Sequence, residues 1–499
     1  MIIDEQNLNP EPETRNPKPY LCLPMENFSA EILKQLPFEP TSKQKDAARE
    51  LEKFLTHEDQ NRIFVLRGYA GTGKTSLVSA LVRALPKLKR KSVLLAPTGR
   101  AAKVLSVYSG KIAWTIHKKI YRASGNSEGS FFSLQTNTHH NTLFIVDEAS
   151  MIGEGGAEKS LFPNSLLDDL FHFVYQNGDC QLLFVGDIAQ LPPVGLAGSP
   201  ALHPAWLKKT FGFPINGVEL NEVVRQEMDS GVLYNATKLR IEIAEATAAN
   251  SSGKQIIPKF EVQDYTDVKR VVGNELVEEL EMAYQKYGPE ETIIICRSNK
   301  RANIYNQQIR QRIRGQEDEI SNGDHIMIVK NNYFWLPDES KAGFIANGDT
   351  AVIKRIRKFH EIHGLRFADV TIQLLDYPDE PELDARIMLD TLYTEAPALP
   401  VPQQQQFYES VAADYADLSK GARYKKMKED PWYNALQVKF AYAVTCHKAQ
   451  GGQWKAVFVE QGYLTDEMVN VEFLRWLYTA VTRTTEKVYL VGFNEDFFQ

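Results

Sequence analysis

The chain has 499 residues, a formal net charge of −7, 24% charged residues and ordinary apolar, glycine and proline usage. That length suits about two to four globular domains, and the composition excludes fibrous and disordered classes. No run of about 18 uninterrupted apolar residues occurs, so no membrane span is expected. The acidic balance confines nucleic-acid contacts to local basic clusters such as Lys87–Lys91, His117–Lys119, Lys354–Lys358 and Arg423–Lys428, each of which reads equally as a solvated face.

The chain begins with a polar, Pro- and Asn-rich stretch, Met1–Pro19, without the basic start and apolar core of a signal peptide. Residues 1–25 are expected to form a disordered tail. Cys22, Cys180, Cys296 and Cys446 stand singly, with no metal-ligand or disulfide spacing, which fits a reducing cytoplasm.

Between residues 60 and 190 short apolar runs recur, at Ile63–Leu66, Val93–Leu95, Leu143–Val146 and Leu182–Val185. Their length and the helical stretches between them predict parallel strands buried on both faces of an α/β sheet. The first run leads into Gly68-Tyr69-Ala70-Gly71-Thr72-Gly73-Lys74-Thr75, which fits the phosphate-loop pattern G-x-x-x-x-G-K-[ST]. Gly68, Gly71 and Gly73 let the backbone turn so that loop N–H groups, Thr72 among them, face phosphate oxygens. The amphipathic helix predicted from Lys74 to Leu85 adds the positive end of its dipole. Lys74 is expected to pair with the β- and γ-phosphates of ATP or GTP, and Thr75 to ligate Mg²⁺.

The third run ends in Asp147-Glu148. A carboxylate at the end of a buried strand sits beside the phosphate loop in such a sheet. Asp147 is placed to hold Mg²⁺ through water, and Glu148 to orient or deprotonate the attacking water. The fourth run continues into Gly186-Asp187-Ile188-Ala189-Gln190-Leu191-Pro192-Pro193, where Gln190 either senses the γ-phosphate or belongs to a structural turn.

The polar tract Glu227–Lys259 has few strand signals and reads as a helical or loose connection, with a linker set at 227–262. A second α/β pattern follows at Thr292–Ile295, Phe440–Val444, Val457–Val459 and Val488–Val491. It is interrupted at about 324–435 by alternating segments, Asp349–Ile353 and Asp369–Leu375, which predict a small inserted β domain. A Pro- and Gln-rich loop is expected at Ala396–Gln406.

In order, the phosphate loop, Ala96-Pro97-Thr98-Gly99-Arg100-Ala101-Ala102, Thr115-Ile116-His117, Asp147-Glu148, Gly186-Asp187 to Pro193-Val194, Leu220-Asn221-Glu222 to Arg225-Gln226, Thr445-Cys446-His447-Lys448-Ala449-Gln450-Gly451 and Tyr478-Thr479-Ala480-Val481-Thr482-Arg483 resemble the motif set of superfamily 1 helicases of the RecD and phage Dda type. The resemblance implies an α/β fold of two RecA-like P-loop NTPase domains, at 26–226 and 263–499, with ATP between them and an SH3-like β insertion in the second. It implies that Gln44 reads adenine, with a surface glutamine at a helix start as the alternative, and that Arg225 and Arg483 are arginine fingers. Single-stranded DNA is implied across both sheets, at Thr98, His117 and His447, with Trp114 and Asn347 as further contacts. Satisfied core histidines compete for His117 and His447. A strand-separating pin is implied at about 120–141, with Phe131 and Phe132 placed to stack on a base. Gly452-Gln453 and Thr484 depart from the family pattern.

The expectation is a cytoplasmic, monomeric ATP-dependent DNA helicase moving 5′ to 3′, with Mg²⁺ as cofactor, single-stranded DNA and duplex junctions as partners, and replication or recombination proteins as candidate partners. A nucleotide-gated binding clamp, an RNA helicase, and one subunit of a helicase–nuclease remain as alternatives.

Overall fold

The computed structural model describes residues 27–123, 132–153, 164–224, 229–248, 257–337, 340, 344–377 and 380–499. The expected tail at 1–25, Arg225 and Phe131 lie outside them.

The first body is built on a parallel sheet of β1 (Ile63–Gly68), β2 (Lys91–Ala96), β3 (Ala113–Thr115), β6 (Thr142–Val146), β7 (Gln181–Gly186) and β8 (Ile215–Leu220), in the order β3-β2-β6-β7-β1-β8. An antiparallel pair, β4 (Tyr121–Ala123) with β5 (Phe132–Leu134), falls in sequence between β3 and β6, within the range of the expected pin. All four apolar runs became central strands. Their side chains divide between two cores: Phe64, Leu66, Leu94, Leu143 and Ile145 face one layer, and Ile63, Val65, Phe144, Val146 and Phe184 the other. Each such burial contributes roughly 1.5–3 kcal/mol. The order places the carboxyl ends of β6, β7 and β1 side by side, so the motifs that follow them converge.

The second body carries a parallel sheet of β9 (Val268–Val271), β10 (Thr292–Cys296), β16 (Ala443–Thr445), β17 (Trp454–Glu460) and β18 (Thr484–Val491), ordered β16-β10-β17-β18-β9. Between β10 and β16 the chain forms a closed barrel of β11 (His325–Ile328), β12 (Thr350–Ile362), β13 (Leu365–Leu374), β14 (Leu383–Met388) and β15 (Leu436–Phe440). The barrel is antiparallel except where β14 meets β15. An inserted β domain is therefore present.

Three details differ from the sequence expectations. The run Phe440–Val444 is not one strand: Phe440 ends the barrel strand β15, and β16 starts at Ala443 in the other sheet. The Pro- and Gln-rich loop runs into a helix, Val401–Ala413, with prolines at its cap and first turn, where no backbone N–H is needed. The tract set as a linker holds the helix Gly231–Ala248, whose Val232, Ala236, Leu239 and Ile243 are buried in the core beneath β17 and β18. That tract is thus a layer of the second body.

Candidate nucleotide site at the seam of two bodies

The phosphate loop is shaped by its own residues and by one neighbour. Gly71 and Gly73 have φ of 70° and 76°, the left-handed region that side chains avoid, and Gly73 caps the helix Lys74–Ala84. Thr72 Oγ1 donates to the Tyr69 carbonyl at 2.8 Å. Gln44 is fully buried behind the loop. Its Nε2 donates to the Thr72 carbonyl at 3.0 Å, and its Oε1 accepts from Thr41 N–H at 3.1 Å, completing a capping box on the helix Ser42–Thr56. The structure therefore places Gln44 as a brace of the loop rather than on the cavity wall. A Cβ on Gly73 would stand 2.5 Å from its amide nitrogen.

A cavity of about 500 Å³ opens in front of the loop, lined by Lys74, Thr75, Asp147, Glu148, Gln190 and Arg483 among others. Lys74 Nζ donates to the Tyr69 carbonyl at 2.8 Å and lies 3.9 Å from the buried Asp187 carboxylate. Burial, and then the charge of Glu148, push the Asp147 carboxyl up from 3.8 to about 6, against the pull of Lys74. Burial also raises Asp187. Glu148 adopts φ 51°, a left-handed conformation costing about 1–2 kcal/mol in a non-glycine residue, and its amide donates to Asp147 Oδ1 at 2.9 Å. Gln190 is 6% exposed, and its buried amide oxygen has no hydrogen-bond partner among the described residues. That unsatisfied acceptor is consistent with a reach toward a donor in the cavity.

The second body completes the wall. Arg483 is 4% exposed. Its guanidinium lies 3.6 Å from Glu148 Oε1 and donates through Nε to the Thr479 carbonyl at 3.1 Å. Tyr478 Oη accepts from the phosphate-loop amide of Ala70 at 2.8 Å and donates to Asp187 Oδ2 at 2.6 Å. Leu191 N–H donates to Thr479 Oγ1 at 2.8 Å, and Gln450 Nε2 donates to the Leu191 carbonyl at 2.8 Å. Arg475 Nη1 donates to the Ile188 carbonyl at 2.6 Å. The segment 186–191 of the first body is thus held by three side chains of the helix Val471–Val481 and by Gln450 from the Thr445–Gly451 motif. Sequence reasoning quoted the motifs containing Asp187, Tyr478 and Gln450 without giving those residues a role. A polar residue in an otherwise apolar buried helix was the available signal.

The residues expected along a strand path have separate local contacts. Thr98 caps the helix Gly99–Ser109, accepting from Ala101 N–H at 3.2 Å. A Cβ on Gly451 (φ 75°) would stand 3.0 Å from its hydroxyl, so the two motifs touch across the seam. His117 is half-buried, lies tilted against Tyr121 with ring centroids 5.8 Å apart, and is pushed down to about 4 by burial, so it is neutral. Trp114 carries the Lys118 ammonium 4.6 Å above its ring. Asn347, exposed on the barrel, accepts from Lys448 beside the exposed His447.

Comparison with known proteins agrees with this arrangement at both ends of the chain. The pattern described as AAA domain matches residues 40–257, and that of the UvrD-like helicase C-terminal domain matches residues 440–491. The chain is 30% identical over 197 residues to the ATP-dependent RecD2 DNA helicase of Deinococcus radiodurans, covering 40% of this chain and 24% of that protein. These matches support a superfamily 1 helicase of the RecD type. It is also 23% identical over 530 residues to an uncharacterized protein of Acanthamoeba polyphaga mimivirus, covering 90% of this chain and 98% of that one. Among solved structures, the Bacteroides Pif1 helicase in complex with ADP-AlF3 and ssDNA is similar at 15% identity, with 93% of this chain and 95% of that one covered and a TM-score of 0.44. The chain thus spans nearly the whole viral relative but about a quarter of the Deinococcus helicase. Among its described residues no helix is long and apolar enough to cross a membrane.

Proposed function

We propose that the chain is an ATP-driven translocase that moves 5′ to 3′ along single-stranded DNA and unwinds the duplex ahead. The observation that carries this reading is the split site: Arg483 and Tyr478 of the second body reach Glu148, Asp187 and Ala70 of the first. A site whose charge-stabilising arginine belongs to the other body hydrolyses only when the two meet, so hydrolysis and relative motion become one event. Loop amides and Lys74 bind the β- and γ-phosphates, and Arg483 neutralises charge on the γ-phosphoryl oxygens. Glu148, freed from Arg483 by the substrate, orients the attacking water. Arg225 is a second such arginine by its motif. Thr75 and Asp147 would hold Mg²⁺. The raised Asp147 carboxyl beside Glu148 fits a site short of positive charge, and the ion would supply neutralisation of the phosphate oxygens.

Thr98 lies beside Gly451 and Asn347 bonds Lys448 next to His447, which supports a strand path gripped alternately by the two bodies, with Trp114 and His117 as its contacts in the first body. Similarity to the RecD2 DNA helicase of Deinococcus radiodurans supports the substrate class. The deciding experiment is unwinding of duplexes bearing only a 5′ or only a 3′ single-stranded tail. Displacement from the 5′-tailed duplex alone is expected. Displacement from the 3′-tailed duplex reverses the polarity, and ATP hydrolysis without any displacement makes the chain a nucleotide-gated clamp.

A further inference from the structure

The helix Gly231–Ala248 belongs to the second body by its buried side, where Val232, Ala236, Leu239 and Ile243 enter the core shared with the helix Val471–Val481. Its half-buried Arg240 reaches the first body instead. The guanidinium lies 4.6 Å above the ring of Tyr69, a phosphate-loop residue, and Nη2 donates to the Asn221 carbonyl at 2.9 Å.

Both contacts lead to the nucleotide site. The Tyr69 carbonyl accepts from Thr72 Oγ1 and from Lys74 Nζ, each at 2.8 Å, while its hydroxyl donates to Glu219 Oε1 at 3.1 Å. Burial, and then the Glu219 charge, push that hydroxyl up to about 12 against the pull of Arg240, so it keeps its proton and stays the donor. The ring is therefore held at its tip by Glu219 and on its face by Arg240. Asn221 opens the turn Asn221–Val224, in which Glu222 Oε1 accepts from Ser42 Oγ at 2.7 Å and Val224 N–H donates to the Gly71 carbonyl at 3.0 Å. One guanidinium from the second body thus touches both the phosphate loop and the turn bonded to it.

Packing alone does not explain an arginine here. Arg240 Nη1 is buried and has no hydrogen-bond partner among the described residues. A charged donor left unsatisfied costs stability, and an apolar side chain of similar length would fill the space without that cost. The Arg240 charge also acts on the hydroxyl of Tyr478, the residue that holds the Ala70 amide. Arg240 therefore sits among the groups that fix the loop, not among solvated surface charges.

We propose that Arg240 is a positioning residue for ATP hydrolysis, holding Tyr69 and the Asn221 turn so that the phosphate loop keeps its register with the second body. The inference rests on the reading of the chain as an ATP-driven motor and adds a residue to it. Arg240 acts through Tyr69 rather than on the nucleotide itself. Its planar fork lets one group face a ring and bond a carbonyl at once. A shift of the helix as the cleft closes is passed to the loop that carries Lys74.

The test is steady-state ATP hydrolysis by the full-length protein at saturating oligo-dT, with the melting temperature measured alongside. Arg240→Met keeps most of the side-chain length and removes its charge and donors. It is expected to lower kcat roughly tenfold or more and to change the KM for ATP far less. It should melt at or above the wild-type temperature, because the unsatisfied donor is gone. Arg240→Lys keeps a cation over the ring without the fork and is expected to recover part of the kcat. Tyr69→Leu is expected to lower kcat as well, and the double variant to be no slower than the slower single one, because the two residues act through one contact. Glu245→Gln, an exposed position on the same helix, retains wild-type kcat. Wild-type kcat in Arg240→Met, a loss of kcat matched by a lower melting temperature, or additive losses in the double variant overturns the role of Arg240. A wild-type protein that hydrolyses no ATP overturns the motor reading itself.

Discussion

Arg483 and Glu148 face each other across the two bodies at 3.6 Å. Arg483→Ala is expected to lower the ATP turnover rate by roughly 10³-fold or more while leaving nucleotide affinity within a few-fold. Steady-state hydrolysis alongside fluorescent-nucleotide binding separates the two effects, and equal losses in both would mean that Arg483 holds the ground state instead. Asp147 allows a prediction on pH. Burial and the neighbouring Glu148 charge push its carboxyl up from the ordinary 3.8 to about 6, so the fold holds the proton more tightly than the unfolded chain. Stability from this group is full below about pH 4 and is lost as pH rises through about 6. Asp147→Asn should therefore melt close to wild type at pH 4 and above it at pH 8, a gain of about 1–3 kcal/mol. A gap that does not widen with pH would show that the carboxylate is already compensated.

At the scale of elements, the sequence made the central strands legible because each is a short apolar run closed by a motif. The phosphate loop, Asp147-Glu148 and Gly186-Asp187 all mark strand ends, and their positions in the sheet followed. The edges were not legible. Ala113–Thr115 is three residues long, and Ile215–Leu220 is interrupted by Asn216 and Gly217, so neither presents a continuous run. A helix was one of the two readings of the tract holding Gly231–Ala248, but its place in a core was not legible, because further apolar residues lie around the axis and no face stands out. Its role in the second core is nevertheless measurable. Leu239, 1% exposed, is expected to cost about 2–5 kcal/mol when replaced by Ala. Denaturant titration should show the loss in the midpoint for the second body, whereas a mere connector would show almost none. The candidate site was legible to the extent that its residues sit in local motifs. Gln44 was named for a ligand but packs as a brace, because both of its amide atoms find protein partners that no local pattern announces.

For the whole molecule, what sequence could not supply was the register between the two bodies. Tyr478, Thr479 and Arg475 lie nearly three hundred residues from the segment they hold, and only the folded pair of sheets brings them to Asp187, Leu191 and Ile188. Tyr478→Phe removes a bond to a buried carboxylate and one to the phosphate loop, about 1–3 kcal/mol of the contact between the bodies. With donor and acceptor dyes on the two bodies, the nucleotide-free variant should show lower energy transfer than the wild type. Unchanged transfer would place the hold elsewhere along the seam.

The Ala70 amide has a further consequence. A phosphate loop ordinarily offers its N–H groups to the nucleotide, yet here one of them is already satisfied by the Tyr478 hydroxyl, and Lys74 is turned onto the Tyr69 carbonyl. The protein's own tyrosine and carbonyl act as an internal competitor, and the apparent nucleotide affinity is the intrinsic one scaled by the fraction of molecules in which they have let go. Any strand that favours the released arrangement raises that fraction. By reciprocity, nucleotide tightens the strand by the same factor, although the two ligands never touch.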